Sequence, residues 1–165
     1  MQHLTTPNLI IGFGKAGKTL AADLAKNGQN VILVESSEQM YGGTCINIGC
    51  IPSKKLLVEG EKTHAFEASM SAKNNLVGKL RAANFAQLNN LPNVRIITAQ
   101  ARFQNEHTVV LHGKDGEFSV TAERIFINTG SLPARLDIEG ADGKQIHDST
   151  GILSLAQCPR HLVIV

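Results

Sequence analysis

Apolar positions along the chain follow two periods, and the first stretch shows both. Asn8 to Ile11 is a short continuous apolar run leading into Gly12-Phe13-Gly14-Lys15-Ala16-Gly17. Beyond it Ala16, Leu20, Leu24 and Ala25 recur at helical spacing, which predicts a strand, a tight turn and a helix stopping at Asn27-Gly28. Val31-Ile32-Leu33-Val34 then reads as a fully buried strand ending at Glu35, and such a strand, helix, strand unit builds a parallel sheet. A loop with Gly42-Gly43 and two cysteines follows, and Pro52 suits the first turn of a helix that starts near Cys50. From Val58 to Asn90 the chain is rich in Ala, Lys, Asn and Leu and lacks proline, which predicts helices with a break near Gly60.

Pro92 opens a strand-rich stretch. Val94 to Thr98, Ala101 to Phe103, Thr108 to His112 and Glu117 to Thr121 read as an antiparallel meander with a hairpin at Asp115-Gly116. Arg124 to Asn128 is a further buried strand, closed by Thr129-Gly130, and Pro133, Gly140 and Gly143 mark irregular structure. His161 to Val165 is again apolar and β-rich and stops in mid-strand, from which we expect a chain cut short inside a larger fold. The pattern predicts an α/β, Rossmann-like class: a parallel sheet with helices on both faces and a small antiparallel meander, incomplete at its end.

Composition narrows the classes of function. At 165 residues the chain can bury a core without disulfide staples, and a net charge of +2 without long runs of like charge argues against nucleic acid. No apolar run approaches the roughly 18 residues of a membrane span, and the N-terminus lacks a basic region followed by an apolar stretch. A cytoplasmic protein is expected. In that reducing compartment three cysteines are not a disulfide framework, and a close pair points to catalysis or metal binding.

Two motifs carry chemistry. Gly12, Gly14 and Gly17 form G-x-G-x-x-G between a strand and a helix, and the acidic Glu35 ends the next strand. Glycine there permits the tight turn, the approach of a pyrophosphate and close helix packing, while the helix N-terminus faces the negative charge and Glu35 accepts from a ribose. FAD and NAD both satisfy this pattern, and the bland alternative is a glycine-rich turn without a ligand. The second motif is Cys45 and Cys50. A regular helix would hold such a pair roughly 8 to 9 Å apart, beyond the disulfide limit of about 7 Å. A turn through Gly49 can bring them together, with Cys45 on the loop and Cys50 near a helix N-terminus, where a thiolate is favoured. Two buried free thiols, or half of a metal site with His64 as the nearest further ligand, are the competing readings.

Gly42-Gly43-Thr44-Cys45-Ile46-Asn47-Ile48-Gly49-Cys50-Ile51-Pro52-Ser53-Lys54 resembles the redox-active signature of the FAD-dependent pyridine nucleotide-disulfide oxidoreductases, the family of dihydrolipoamide dehydrogenase, glutathione reductase and mercuric reductase. Ile125-Phe126-Ile127-Asn128-Thr129-Gly130 is similar to the family's later strand ending in Ala-Thr-Gly, with Asn128 in place of alanine. Phe13-Gly14-Lys15-Ala16-Gly17-Lys18, Met40-Tyr41-Gly42-Gly43 and Asp148-Ser149-Thr150-Gly151 further resemble the bacterial reactive-chlorine-resistance branch, which contains a copper reductase.

The resemblance implies roles. Cys45 matches the interchange thiol that meets the substrate, Cys50 the thiol against the flavin, and Lys54 the lysine near flavin N5, where a cation stabilises the reduced ring. Gly12, Gly14, Lys15, Ala16, Gly17, Glu35, Gly43, Thr44, Thr129 and Gly130 are then the other cofactor-contacting positions. Residues 1–165 would be the N-terminal part of an FAD-binding domain, ending just before an NAD(P)-binding domain, and inactive alone. Electrons would pass from NAD(P)H through FAD to a Cys45-Cys50 disulfide and on to a small-molecule disulfide or metal ion, in a full-length homodimer serving cell redox homeostasis. No resident metal, membrane or nucleic-acid partner is expected. The alternative is a non-catalytic module binding a nucleotide or metal through the same elements. The six histidines form no metal-binding spacing, and Cys158 reads as a packing residue.

Overall fold

The computed structural model describes residues 2–114, 116–134 and 137–165. Among the described residues five strands and four α-helices follow one another as β1 (Gln2–Ile11), α1 (Lys15–Lys26), β2 (Val31–Glu35), α2 (Thr44–Asn47), α3 (Cys50–Thr63), α4 (Phe66–Asn89), β3 (Val94–Phe103), β4 (Thr108–Gly113) and β5 (Gly116–Ile127). Parallel pairing joins β3 to β2, β2 to β1 and β1 to β5, as the strand, helix, strand pattern requires. Antiparallel pairing of β3 with β4 and of β4 with β5 supplies the expected meander and closes the five strands into a ring. Asp115 of the expected hairpin lies outside the described residues.

Closure changes several expectations. Val94 to Thr98 and Ala101 to Phe103 are one strand, because β3 changes partner between Thr98, opposite Glu35 of β2, and Ala99, opposite Gly113 of β4, without breaking its backbone. Glu117 to Thr121 and Arg124 to Asn128 likewise merge into one strand, β5, which ends at Ile127 and runs beside β1 from Phe118 onward. That partner also extends β1 back to Gln2, six residues before the apolar run that predicts it.

Helices flank one face of the parallel strands rather than both. On that face Ile10, Phe13, Val31 and Leu33 pack with Ala21 and Ala25 of α1 and Leu88 of α4. Leu9, Ile11, Ile32, Val34 and Ile97 face the ring interior and meet Val109, Leu111 and Val120 of the meander, so β4 and β5 cover the apolar surface a second helical layer would have covered. The alternation of these residues is the period of 2 by which successive strand side chains point to opposite faces.

The helical region breaks at His64, not at Gly60. His64 caps α3 in the left-handed region (φ 50°), and Ala65 N–H donates to Thr63 Oγ1 at 3.3 Å, a local bond that competes with continuing the helix. Gly60 sits inside α3 with open space around it. α4 buries Met70, Val77 and Lys73, and Lys73 Nζ donates to Leu153 O at 2.7 Å, tethering a 3-10 turn at Ile152–Ser154. The expected strand at His161 to Val165 is absent: the segment is exposed and not a strand.

Candidate functional site

The chain leaves β1 at Ile11 and enters α1 at Lys15 through a turn that only glycine can make. Gly12 has φ +110°, and a Cβ there would stand 2.1 Å from Asn128 O. Gly17 lies under the turn, its Cβ position 2.3 Å from Gly12 O, which is the close helix packing expected of the third glycine. Gly14 is the N-cap of α1 and offers no side-chain cap, so the helix's first N–H groups are available to an anion. Glu35 accepts from Phe13 N–H at 2.9 Å through Oε2, and from Ser36 Oγ at 3.0 Å and Ser37 N–H at 3.3 Å through Oε1. Oε2, which accepts one bond, keeps acceptor capacity, so a ribose can still be bound.

The cysteine segment packs directly on this turn. Gly43, with φ +82°, approaches so closely that a Cβ would stand 2.6 Å from Gly14 Cα. Cys45 lies in the single turn α2 rather than on an open loop, and Cys50 is the first residue of α3, with Pro52 in its first turn as expected. Gly49 joins them: its Cβ position is 3.0 Å from Thr44 O and 3.3 Å from Cys45 Cα, so the chain doubles back with little room for a side chain. Both thiols are free and exposed, which removes the reading of two buried cysteines. Cys45 is hydrogen-bonded to the Cys50 side chain, and this contact holds its pKa above the ordinary thiol value, while the nearby charge of Lys54 acts the other way.

Residues that spacing did not single out anchor the segment. Asn47 Nδ2 donates to Tyr41 O at 3.0 Å and Gly43 O at 2.9 Å, and Asn47 Oδ1 accepts from Arg81 Nε of α4 at 2.9 Å. The Tyr41 ring stacks on Phe85 of α4, with centroids 4.8 Å apart, and leans on Phe13 of the glycine turn at 5.2 Å. Tyr41 OH meets Thr98 Oγ1 at 2.5 Å. The contacts to Phe13, Arg81, Phe85 and Thr98 join positions far apart in sequence, and no local pattern announces them.

A cavity of about 760 Å³ runs along the ends of the parallel strands. Gly12, Gly14, Lys15, Ala16, Glu35, Gly43, Thr44, Cys45, Thr129 and Gly130 all line it, together with Asn128 and Gln100. Gly17 supports the turn from below, while Cys50 and Lys54 stand beside Cys45 outside the lining. The volume lies within the roughly 300–1,000 Å³ of small-molecule sites, and the glycine cradle at a helix N-terminus fits a dinucleotide. Among the described residues no group of three or more His, Cys, Asp or Glu could hold a metal ion. His64 caps the far end of α3, roughly 20 Å along the helix from Cys50, too distant to join the thiols. Among the described residues no helix is long and apolar enough to cross a membrane.

Comparison with known proteins agrees with this geometry. The family model "Pyridine nucleotide-disulphide oxidoreductase" matches residues 7–165. The chain is 46% identical over 158 residues to the probable pyridine nucleotide-disulfide oxidoreductase RclA of Escherichia coli (strain K12), covering 95% of this chain and 36% of that protein. It is 35% identical over 176 residues to the mercuric reductase of Streptomyces lividans, covering 94% and 36% of the two chains. A solved structure described as the Cu(II) complex of the HOCl-induced flavoprotein disulfide reductase RclA from Escherichia coli superposes with a TM-score of 0.88 at 45% identity, covering 92% of this chain and 34% of that one. The chain thus spans just over a third of the length of these curated relatives.

Proposed function

The chain belongs to the pyridine nucleotide-disulfide oxidoreductase family, and we propose that it forms the N-terminal FAD-binding portion of a flavoprotein that reduces a disulfide or a metal ion with NAD(P)H. The observation carrying this reading is that one cavity joins the glycine turn, Glu35 and Thr129-Gly130 to Cys45 on the same wall. FAD, when bound, would accept a hydride from NAD(P)H and deliver two electrons. The Cys45-Cys50 disulfide would take up those two electrons and a proton, opening to a thiol and a thiolate. The turn and the α1 N-terminus hold the pyrophosphate, Glu35 orients the ribose, and Lys54 places a cation beside the thiols. Cys45, on the cavity wall and exposed, presents the reduced pair to the acceptor. The Cu(II) complex of the related structure supports including a metal ion among the acceptors. A cytoplasmic homodimer remains the assembly we propose for the whole protein, with the 165-residue chain inactive by itself.

The test is expression from the complete coding sequence, followed by an absorbance spectrum and anaerobic titration with NADH or NADPH. Retained flavin is expected, with Cys45 and Cys50 becoming available to alkylation on reduction, as counted by mass spectrometry. A flavin-free protein would favour the non-catalytic nucleotide-binding alternative, and a reduced flavin with both thiols unchanged would remove the Cys45-Cys50 step.

A further inference from the structure

We propose that Asn128 is a positioning residue that locks the glycine turn into its phosphate-binding shape, an inference that rests on the flavoprotein reading. Asn128 directly follows β5, and its backbone N–H donates to Ile11 O at 2.7 Å, carrying the β1–β5 ladder one residue further. Its side chain turns into the hollow of the turn. Nδ2 donates to Gly12 O at 3.0 Å. The same nitrogen stands 3.0 Å from the Cβ position of Gly14 and 2.7 Å from that of Gly17, so all three motif glycines press on one residue.

The peptide unit between Gly12 and Phe13 is consequently held at both ends: its carbonyl by Asn128 and its N–H by Glu35 Oε2 at 2.9 Å. A peptide fixed in this way cannot rotate. The carbonyl of Gly12 is kept turned away from the anion, and the N–H groups that open α1 keep facing it. An alanine, which the family pattern places here, has no donor for that carbonyl. In this chain the amide therefore preorganises the phosphate half of the site. Glu35 does not depend on Asn128 to the same degree, because Ser36 Oγ and Ser37 N–H hold its other oxygen. Asn128 should act on the pyrophosphate and hardly on the ribose.

That asymmetry is the readout. ADP and adenosine are titrated by calorimetry into the apoprotein of the complete coding sequence, for wild type, Asn128→Ala and Asn128→Leu. Leu keeps the approximate size of the side chain, adds no charge beside the phosphate and has no donor for Gly12 O. Melting midpoints of the three proteins check folding, and the Leu variant carries the test if the Ala variant fails to fold. Loss of a hydrogen bond to a part-buried carbonyl predicts ADP binding weaker by at least about fivefold in both variants. Adenosine affinity should stay within about twofold, the change left when no such bond is lost. Equal loss of both ligands, or no loss of either, would overturn this role and leave the flavoprotein reading standing. A wild-type protein that binds neither ligand would overturn both.

Discussion

Gly12→Ala tests the turn at its most constrained point, and Gly28→Ala supplies its control. Both glycines have positive φ, +110° and +78°, so an alanine at either is strained, by about 1–3 kcal/mol at the less favourable Gly12 and by about 1–2 kcal/mol at Gly28. Around Gly28 there is nothing within 4 Å, and the cost ends there. At Gly12 the new methyl would stand 2.1 Å from Asn128 O and 2.6 Å from Asn128 C, both backbone atoms at the end of β5. A side chain could swing aside, but backbone bonded to Ile11 O cannot, so β5 must part from β1 or the turn must move. Overpacking of this kind adds about 1–3 kcal/mol, bringing Gly12→Ala to about 2–6 kcal/mol. Against a typical domain stability of 5–15 kcal/mol this is a large share. Urea unfolding followed by far-UV circular dichroism reads both variants by linear extrapolation, with midpoints falling by about 1–3 M for Gly12→Ala at ordinary slopes. Equal destabilisation by the two variants would show that the backbone at Asn128 yields to the methyl, and a rigid turn could then no longer be what shapes the phosphate site.

Two further outcomes follow from local features. Gly78→Ala, in the middle of α4 with open space around it, should stabilise the protein by about 0.5–1 kcal/mol in the same assay, since alanine loses less backbone entropy on entering a helix. The Cys45 alkylation rate as a function of pH should have its midpoint above that of an unperturbed thiol. The midpoint should fall in Cys50→Ala, which removes the hydrogen bond raising it, and rise in Lys54→Met, which removes the charge lowering it; mass spectrometry of the iodoacetamide adduct reads the three rates.

Most of what was legible in the sequence was local. The strand into Gly12-Phe13-Gly14, the helix to Lys26 and the strand ending at Glu35 each follow from residues next to one another, and the structure has them in that order. The same holds for Cys50 opening a helix and for the hairpin of β4 and β5. What escaped depends on partners distant in sequence. The first half of β1 carries too few apolar residues to predict a strand and becomes one because β5 lies beside it. The partner change within β3 depends on ring closure, for which an apolar pattern has no symbol. Asn128 could be noticed as a departure from the family's alanine, but its bond to Gly12 spans 116 positions. The anchor from Arg81 to Asn47 spans 34, and arginine on a helix ordinarily reads as a solvated face.

The spacing of the cysteines does not by itself place them beside the glycine turn. Four residues between two thiols allow a turn, but they say nothing of where that turn sits relative to the glycine motif. What places it is the contact of Gly43 on Gly14, too close for a side chain on Gly43, braced from behind by Asn47, Arg81 and the Tyr41–Phe85 stack. The glycine turn and the cysteine turn are in that sense one packed unit, with α4 as their common support. A shift of either would have to open the Gly14–Gly43 contact, and close-packed interiors resist such shifts because they cannot deform continuously. This explains why Cys45 belongs to the wall of the cavity, and why the thiol pair is held at a fixed place relative to the glycine turn.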